Sequence, residues 1–158
     1  MAVPTVIALV GAGSCPSSVA AVAERIGALV AARGGILLCG GLGGVMEAGC
    51  RGAAEAGGVT VGLLPGDDPA AANRWVGVPL PTGMGHARNA LIARAAHGMI
   101  AVAGESGTLS EIALALKMGK PVVAIASAWS AIPGVLSADR PEEAVERLWG
   151  LLDDGGRP

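Results

Sequence analysis

The chain has 158 residues, of which 52% are hydrophobic and 15% charged, with 26 glycines and a formal net charge of −2 at pH 7. That composition excludes a disordered chain, and glycines without a G-X-Y period exclude collagen. With 11 Lys and Arg against 13 Asp and Glu, the chain offers no basic surface for a nucleic-acid polymer, whose binding draws mainly on cations that neutralise phosphates.

Short apolar runs alternate with longer helical patterns along the chain. Val6–Val10 reads as the first strand. Ser17 or Ser18 is placed to cap a helix whose apolar positions Val19, Val22, Ile26, Leu29 and Val30 recur at three and four, ended by Gly34 and Gly35. Ile36–Cys39 is the second strand, followed by a glycine-rich turn and a helix over Val45–Ala56. Val59–Leu64 is the third, closed by Pro65, Gly66, Asp67 and Asp68. Residues 65–83 form the long irregular stretch, with a short strand around Trp75–Val78, and read as a lid or binding loop at the edge of a site.

A helix over His86–Ala96, a strand over Met99–Ala103, a helix over Thr108–Met118 and a strand over Val122–Ala126 follow. The charge-free stretch Pro121–Ala138 is broken by Ser127, Ser130 and Pro133 and reads as that strand and a loop. A last helix starts with Asp139 as its cap, Pro141 in the first turn, and Glu142 and Glu143 at the positive end of the dipole. Five main strands result, seven with the short ones, in a single domain spanning 1–158. The expected class is α/β, with a central parallel sheet and helices on both faces.

The charge-free N-terminal stretch Met1–Ala23 is interrupted by Gly11, Gly13, Ser14, Pro16, Ser17 and Ser18 and has no basic leader, so neither a signal peptide nor a membrane span is expected. Cys15, Cys39 and Cys50 are odd in number and lack C-x-x-C spacing, which points away from a disulfide framework and a metal site and toward the cytoplasm. With no Phe or Tyr, only Trp75, Trp129 and Trp149 supply rings.

Three glycine-rich turns each follow a strand and precede a helix: Gly11-Ala-Gly13-Ser14, Gly40-Gly41-Leu-Gly43-Gly44 and Gly104-Glu-Ser-Gly107-Thr108. At the carboxyl edge of a parallel sheet such turns set unpaired helix N–H groups toward an anion, so a small phosphorylated ligand is the expected partner. Glycine for tight turns alone is the plainer alternative. A redox dinucleotide does not fit: Pro16 stands where G-x-G-x-x-G needs glycine, and Cys39-Gly40-Gly41 stands where the ribose-binding acid belongs. Nor does pyridoxal phosphate, since Lys117 and Lys120 sit where a cationic helix end explains them.

Four segments carry a family resemblance: C-G-G-L-G-G-V-M-E-A (39–48), G-A-A-E-A-G-G-V-T-V-G-L-L-P (52–65), R-N-A-L-I-A-R-A-A (88–96) and G-E-S-G-T-L-S-E-I-A-L-A-L-K-M-G-K-P-V (104–122). In order and spacing the chain resembles the LOG-type Rossmann-like proteins, which include cytokinin-activating phosphoribohydrolases and chains mislabelled lysine decarboxylase. It is most similar to their short bacterial branch, near the molybdenum-cofactor carrier proteins. The resemblance implies a Rossmann-like three-layer sandwich. It places the family's P-G-G-x-G-T-x-x-E motif at Ala103–Glu111, with Gly104, Gly107, Thr108 and Glu111 matching, Ala103 in place of Pro and Glu105 in place of the second Gly.

For a hydrolase, the resemblance implies Arg88 and Glu111 as the catalytic pair. The chemistry agrees: a carboxylate stabilises an oxocarbenium-like transition state or positions water, and an arginine holds phosphate bidentately. Thr108-Leu-Ser-Glu111 also reads as a capping box, and Arg88 as an interface salt bridge. Glu105 beside a phosphate loop disfavours a dianion unless its side chain turns away. His86 reads as solvent-facing at a helix start, Glu47 as compensating a helix dipole, and Trp75 as either stacking on a heterocycle or filling a gap.

The expected ligand-binding set is Gly11, Gly13, Ser14, Gly40, Gly41, Gly44, Asn89, Gly104, Gly107 and Thr108, with no required cofactor. The expected ligand is a nucleoside monophosphate or a molybdopterin-type molecule. Function reads as a binding, carrier or sensor protein, with nucleoside 5′-monophosphate N-ribohydrolase as the alternative. Alanine-rich helices over Ala87–Ala96 and Ile112–Met118 predict a homodimer or homotetramer.

Overall fold

The computed structural model describes residues 3–125 and 127–155. Seven strands form one parallel sheet: β1 (Val6–Gly11), β2 (Ile36–Cys39), β3 (Val59–Leu64), β4 (Val78–Pro81), β5 (Gly98–Val102), β6 (Val122–Ile125) and β7 (Val135–Ala138). Their order is β4-β3-β2-β1-β5-β6-β7. Each strand except β7 is followed by a crossover, with α1 (Ser17–Ala32), α2 (Val45–Glu55), α3 (Arg88–Ala95) and α4 (Ser106–Lys117) as the long ones. The helix α5 (Pro141–Asp154) closes the fold. The chain winds outward from β1 to β4, returns to β5 beside β1, and winds outward again. The reversal between β1 and β5 opens a crevice at their carboxyl ends.

Strand alternation divides the core in two. Ile7, Leu9, Leu37, Ile100, Val102, Val123 and Ile125 face α1, α2 and α5, whose Ile26, Val30, Cys50, Val145 and Leu148 meet them. Ala8, Val10, Leu38, Met99, Ala101, Val122 and Ala124 face α3 and α4, meeting Ile92 and Ile112. The first face takes large branched side chains. On that face α1 and α2 touch through backbone: a Cβ on Gly27 would fall 2.0 Å from the Gly49 carbonyl oxygen, and one on Gly52 would fall 1.9 Å from that of Glu24. Only glycine permits such an approach.

The structure corrects several expected boundaries. No serine caps α1, whose N-cap is Pro16 without a side-chain bond. Arg140, not Asp139, precedes α5, and the Asp139 N–H donates to Glu143 Oε2 at 3.0 Å. The short strand expected at Trp75–Val78 lies instead at Val78–Pro81, and the expected loop before Asp139 contains β7. Both displaced strands are sheet edges, where three of four residues of β4 and two of four of β7 are exposed and the apolar signal is weak. Ala126, the expected end of the β6 strand, lies outside the described residues. Among these residues no helix is long and apolar enough to cross a membrane.

Candidate functional site

The crevice at the β1/β5 reversal is a cleft of about 430 Å³. The turn after β1 supplies Gly11, Ala12, Gly13 and Ser14, and the second glycine turn and α2 supply Gly40 and Met46. The start of α3 adds His86, Arg88 and Asn89, and the start of α4 adds Glu105, Gly107, Thr108 and Glu111.

Arg88, the first residue of α3, is only 9% exposed. Its guanidinium lies over Gly40, where a Cβ would fall 2.6 Å from Nη2 and 2.9 Å from Met46 Sδ, so a methyl there would have to displace one or both side chains. Arg88 Nη1 donates to Asn89 Oδ1, Asn89 Nδ2 donates to Ser110 Oγ at 3.1 Å, and Ser110 Oγ donates to the Gly107 carbonyl at 2.7 Å. This chain of bonds ties α3 to the first turn of α4. Arg88 Nε is buried and has no hydrogen-bond partner among the described residues. A buried, charged donor left open in this way is costly and suits an anion that completes its bonding.

Glu111 is 7% exposed, and its Oε1 lies 3.6 Å from Arg88 Nη1. Burial pushes its carboxyl up to about 7, although the neighbouring guanidinium pulls it down. Burial also lowers the Arg88 value, with Glu111 and then Cys39 opposing. The capping-box alternative for Glu111 is excluded by where α4 begins. The helix starts at Ser106, so Thr108 already lies within its first turn and Glu111 lies beyond the reach of the N-cap. No side chain caps α4, and the first helical bond at this end runs from the Leu109 N–H to the Glu105 carbonyl. The N–H groups of Ser106, Gly107 and Thr108 therefore lack intrahelical partners, and Gly107 and Thr108 line the cleft.

The turn before α4 is bent by Ala103 at φ 51° and Gly104 at φ 108°. A Cβ on Gly104 would lie 2.2 Å from Thr108 Oγ1, so this glycine serves turn packing and does not line the cleft. Gly41 and Gly44 are likewise absent from the lining. Gly41 packs against Leu64, and a Cβ on Gly44 would meet the Ala12 carbonyl at 2.2 Å. The remaining expected residues, Gly11, Gly13, Ser14, Gly40, Asn89, Gly107 and Thr108, come together there with Arg88 and Glu111. Glu105 is exposed and lies at the rim of the cleft.

Residues 65–83 do not line the cleft. Asn73 instead braces the back of the second glycine turn, donating from its N–H to Gly41 O at 2.9 Å and from Nδ2 to Leu42 O at 2.8 Å. Trp75 does not line this cleft; half-buried, it packs against the α1 and α2 side of the core and lines a separate recess of about 310 Å³. Met46 was not anticipated, because an apolar residue in a helix gives no signal apart from core. His86 is exposed yet belongs to the rim. Cys39 and Cys50 are free thiols 3.5 Å apart behind the turn, and Cys39 Sγ accepts from the Gly41 N–H at 3.2 Å.

A family model described as the SLOG cluster4 family matches residues 4–147. An uncharacterized protein of Archaeoglobus fulgidus is 42% identical over 139 residues, covering 88% of this chain and 91% of its own. The solved molybdenum cofactor binding protein of the phototrophic bacterium Rippkaea orientalis superposes with a TM-score of 0.87 at 32% identity, covering 94% of this chain and 98% of that one. The molybdenum cofactor carrier protein of Chlamydomonas reinhardtii gives a TM-score of 0.87 at 33% identity, with 95% and 99% covered.

Proposed function

The chain belongs to the SLOG cluster4 family, and on that premise we propose that it binds and carries a small phosphorylated ligand of molybdopterin type without transforming it. The observation that carries this reading is Arg88, a buried cation that lines the β1/β5 cleft and whose Nε has no hydrogen-bond partner among the described residues. A phosphate ester entering between the β1 turn and the uncapped start of α4 would complete the bonding of both. The two solved proteins named above bind or carry molybdenum cofactor by their own descriptions, and both match this chain over nearly its whole length.

A second reading, hydrolysis of a nucleoside 5′-monophosphate, is favoured by one feature: Glu111 titrates near neutrality within ion-pair distance of Arg88. One experiment separates the two. The protein is titrated calorimetrically with molybdopterin and with AMP, and AMP, CMP and an N6-substituted AMP are assayed for free base. Binding without base release supports the carrier. Base release that Glu111→Ala abolishes establishes the hydrolase, and no binding of either ligand overturns the carrier reading. The protein is further proposed to work in the cytoplasm as a homodimer or homotetramer, built on the outer faces of α3 and α4 where Leu91 and Leu109 are exposed. Light scattering at micromolar concentration tests the assembly, and a monomer overturns it.

A further inference from the structure

Ala103 is the one non-glycine residue with positive φ among the described residues, and it stands at the end of β5 where the turn into α4 begins. An L-residue resists that conformation because its Cβ crowds the backbone. The turn has little room to share the strain, since Gly104 is pressed against Thr108. Something must hold Ala103 from outside its own segment. That hold comes from beyond β6: Trp129 Nε1 donates to the Ala103 carbonyl oxygen at 2.8 Å.

Trp129 is itself fixed. It lies in the short 3-10 turn Ala128–Ala131, its backbone N–H donates to Ser127 Oγ at 3.1 Å, and its half-buried ring packs on the α3 and α4 side of the core. It does not line the cleft. We propose that Trp129 is a positioning residue for the anion site, its indole N–H locking Ala103 in the left-handed conformation so that the turn presents the free N–H groups of Ser106, Gly107 and Thr108 to a phosphate. The proposal rests on the ligand-binding reading above. It extends that reading to a residue on a different strand connection, outside the segments that carry the family motifs.

The test removes the donor and keeps the ring. Trp129→Phe does this, and an isosteric benzothienyl side chain, with sulfur in place of the indole N–H, does it with less change of shape should the phenylalanine variant not fold. Amide hydrogen exchange is followed without ligand, and AMP affinity is measured in parallel. Loss of one neutral hydrogen bond predicts faster exchange, by about 5- to 10-fold, of the Leu109 N–H that bonds the Glu105 carbonyl at 3.0 Å, and AMP affinity weaker by a similar factor. Exchange in β1, in β5 and at residues 11–14 stays unchanged. Ala103→Gly, which removes the conformational penalty, restores part of the lost affinity in the Trp129→Phe background, an outcome that a merely structural tryptophan would not give. Wild-type exchange at Leu109 in both donor-less variants overturns the proposal, as does a binding loss that Ala103→Gly leaves untouched. If wild-type protein binds no AMP, the AMP arm falls with the ligand assignment, and the exchange arm still decides the role of Trp129.

Discussion

Two recesses of about 430 Å³ each lie at opposite edges of the sheet, and they differ in what their cations still have to do. At the amino edge, Arg94, His97, Met118, Lys120, Leu151 and Leu152 surround the hollow. There Lys120 Nζ donates to the Arg94 and Ala96 carbonyls and so closes the end of α3, while His97 Nδ1 accepts from the Val6 N–H at 3.0 Å. At the carboxyl edge, Arg88 Nε is unbonded, α4 is uncapped, and Glu111 is held near neutrality by burial. The two hollows are alike in volume and differ in unfinished bonding, and that difference supports the carboxyl-edge one as the proposed ligand site.

The largest expected effect that could break this comparison comes from Arg88→Ala, which should weaken AMP or molybdopterin binding by about 100-fold or more in calorimetry, the scale of losing one partner of a buried charged contact. Gly40→Ala should act through the same group. The new Cβ would press on Nη2 and the Met46 sulfur, and a loss of about 10-fold is expected from displacing a preorganised donor.

A pH titration sharpens the comparison further. The folded Glu111 keeps its proton to about 7, against an ordinary 4.5, so below 7 it is neutral and leaves the Arg88 charge to the ligand, while above 7 it competes for Arg88 and repels an anion. Affinity should therefore fall as pH rises through 7, by at most about 10-fold per pH unit, and Glu111→Gln should flatten the profile. The exposed Glu105 and His86 share the cleft, so their Gln variants serve as controls. The same linkage makes the Glu111 contribution to stability decline between pH 4.5 and about 7, because the folded state binds the extra proton in that window. Thermal melts of wild type and Glu111→Gln check the sign. The smallest effect on binding belongs to Lys120→Ala, which should leave affinity within about 2-fold while lowering stability by about 2 kcal/mol, the net worth of the two hydrogen bonds lost at a helix end.

The fold was legible where burial on both faces of the sheet writes continuous apolar runs, as at Val6–Val10, Ile36–Cys39 and Val122–Ile125. It blurred at β4 and β7, edge strands with exposed Val78, Leu80 and Leu136. In the cleft, Arg88 and the β1 turn could be read from their residue types. Glu111 could not be decided, because a local Thr-x-x-Glu pattern is silent about where its helix starts, and a shift of two residues changes a cap into a cleft carboxylate. The glycines divided on similar grounds. Gly40 makes room for a guanidinium, whereas Gly41, Gly44 and Gly104 relieve contacts within the turns, and composition cannot tell those uses apart.

The seam between α1 and α2 has a consequence for motion. Helices that meet through side chains can slide, because rotamers readjust as one passes the other. At Gly27, Gly49 and Gly52 there are no side chains to readjust, and a shift of either helix would drive carbonyl oxygen into α-carbon. α1 and α2 are therefore locked to each other as one slab, which backs the second glycine turn, while Arg88 stands on α3 across the sheet.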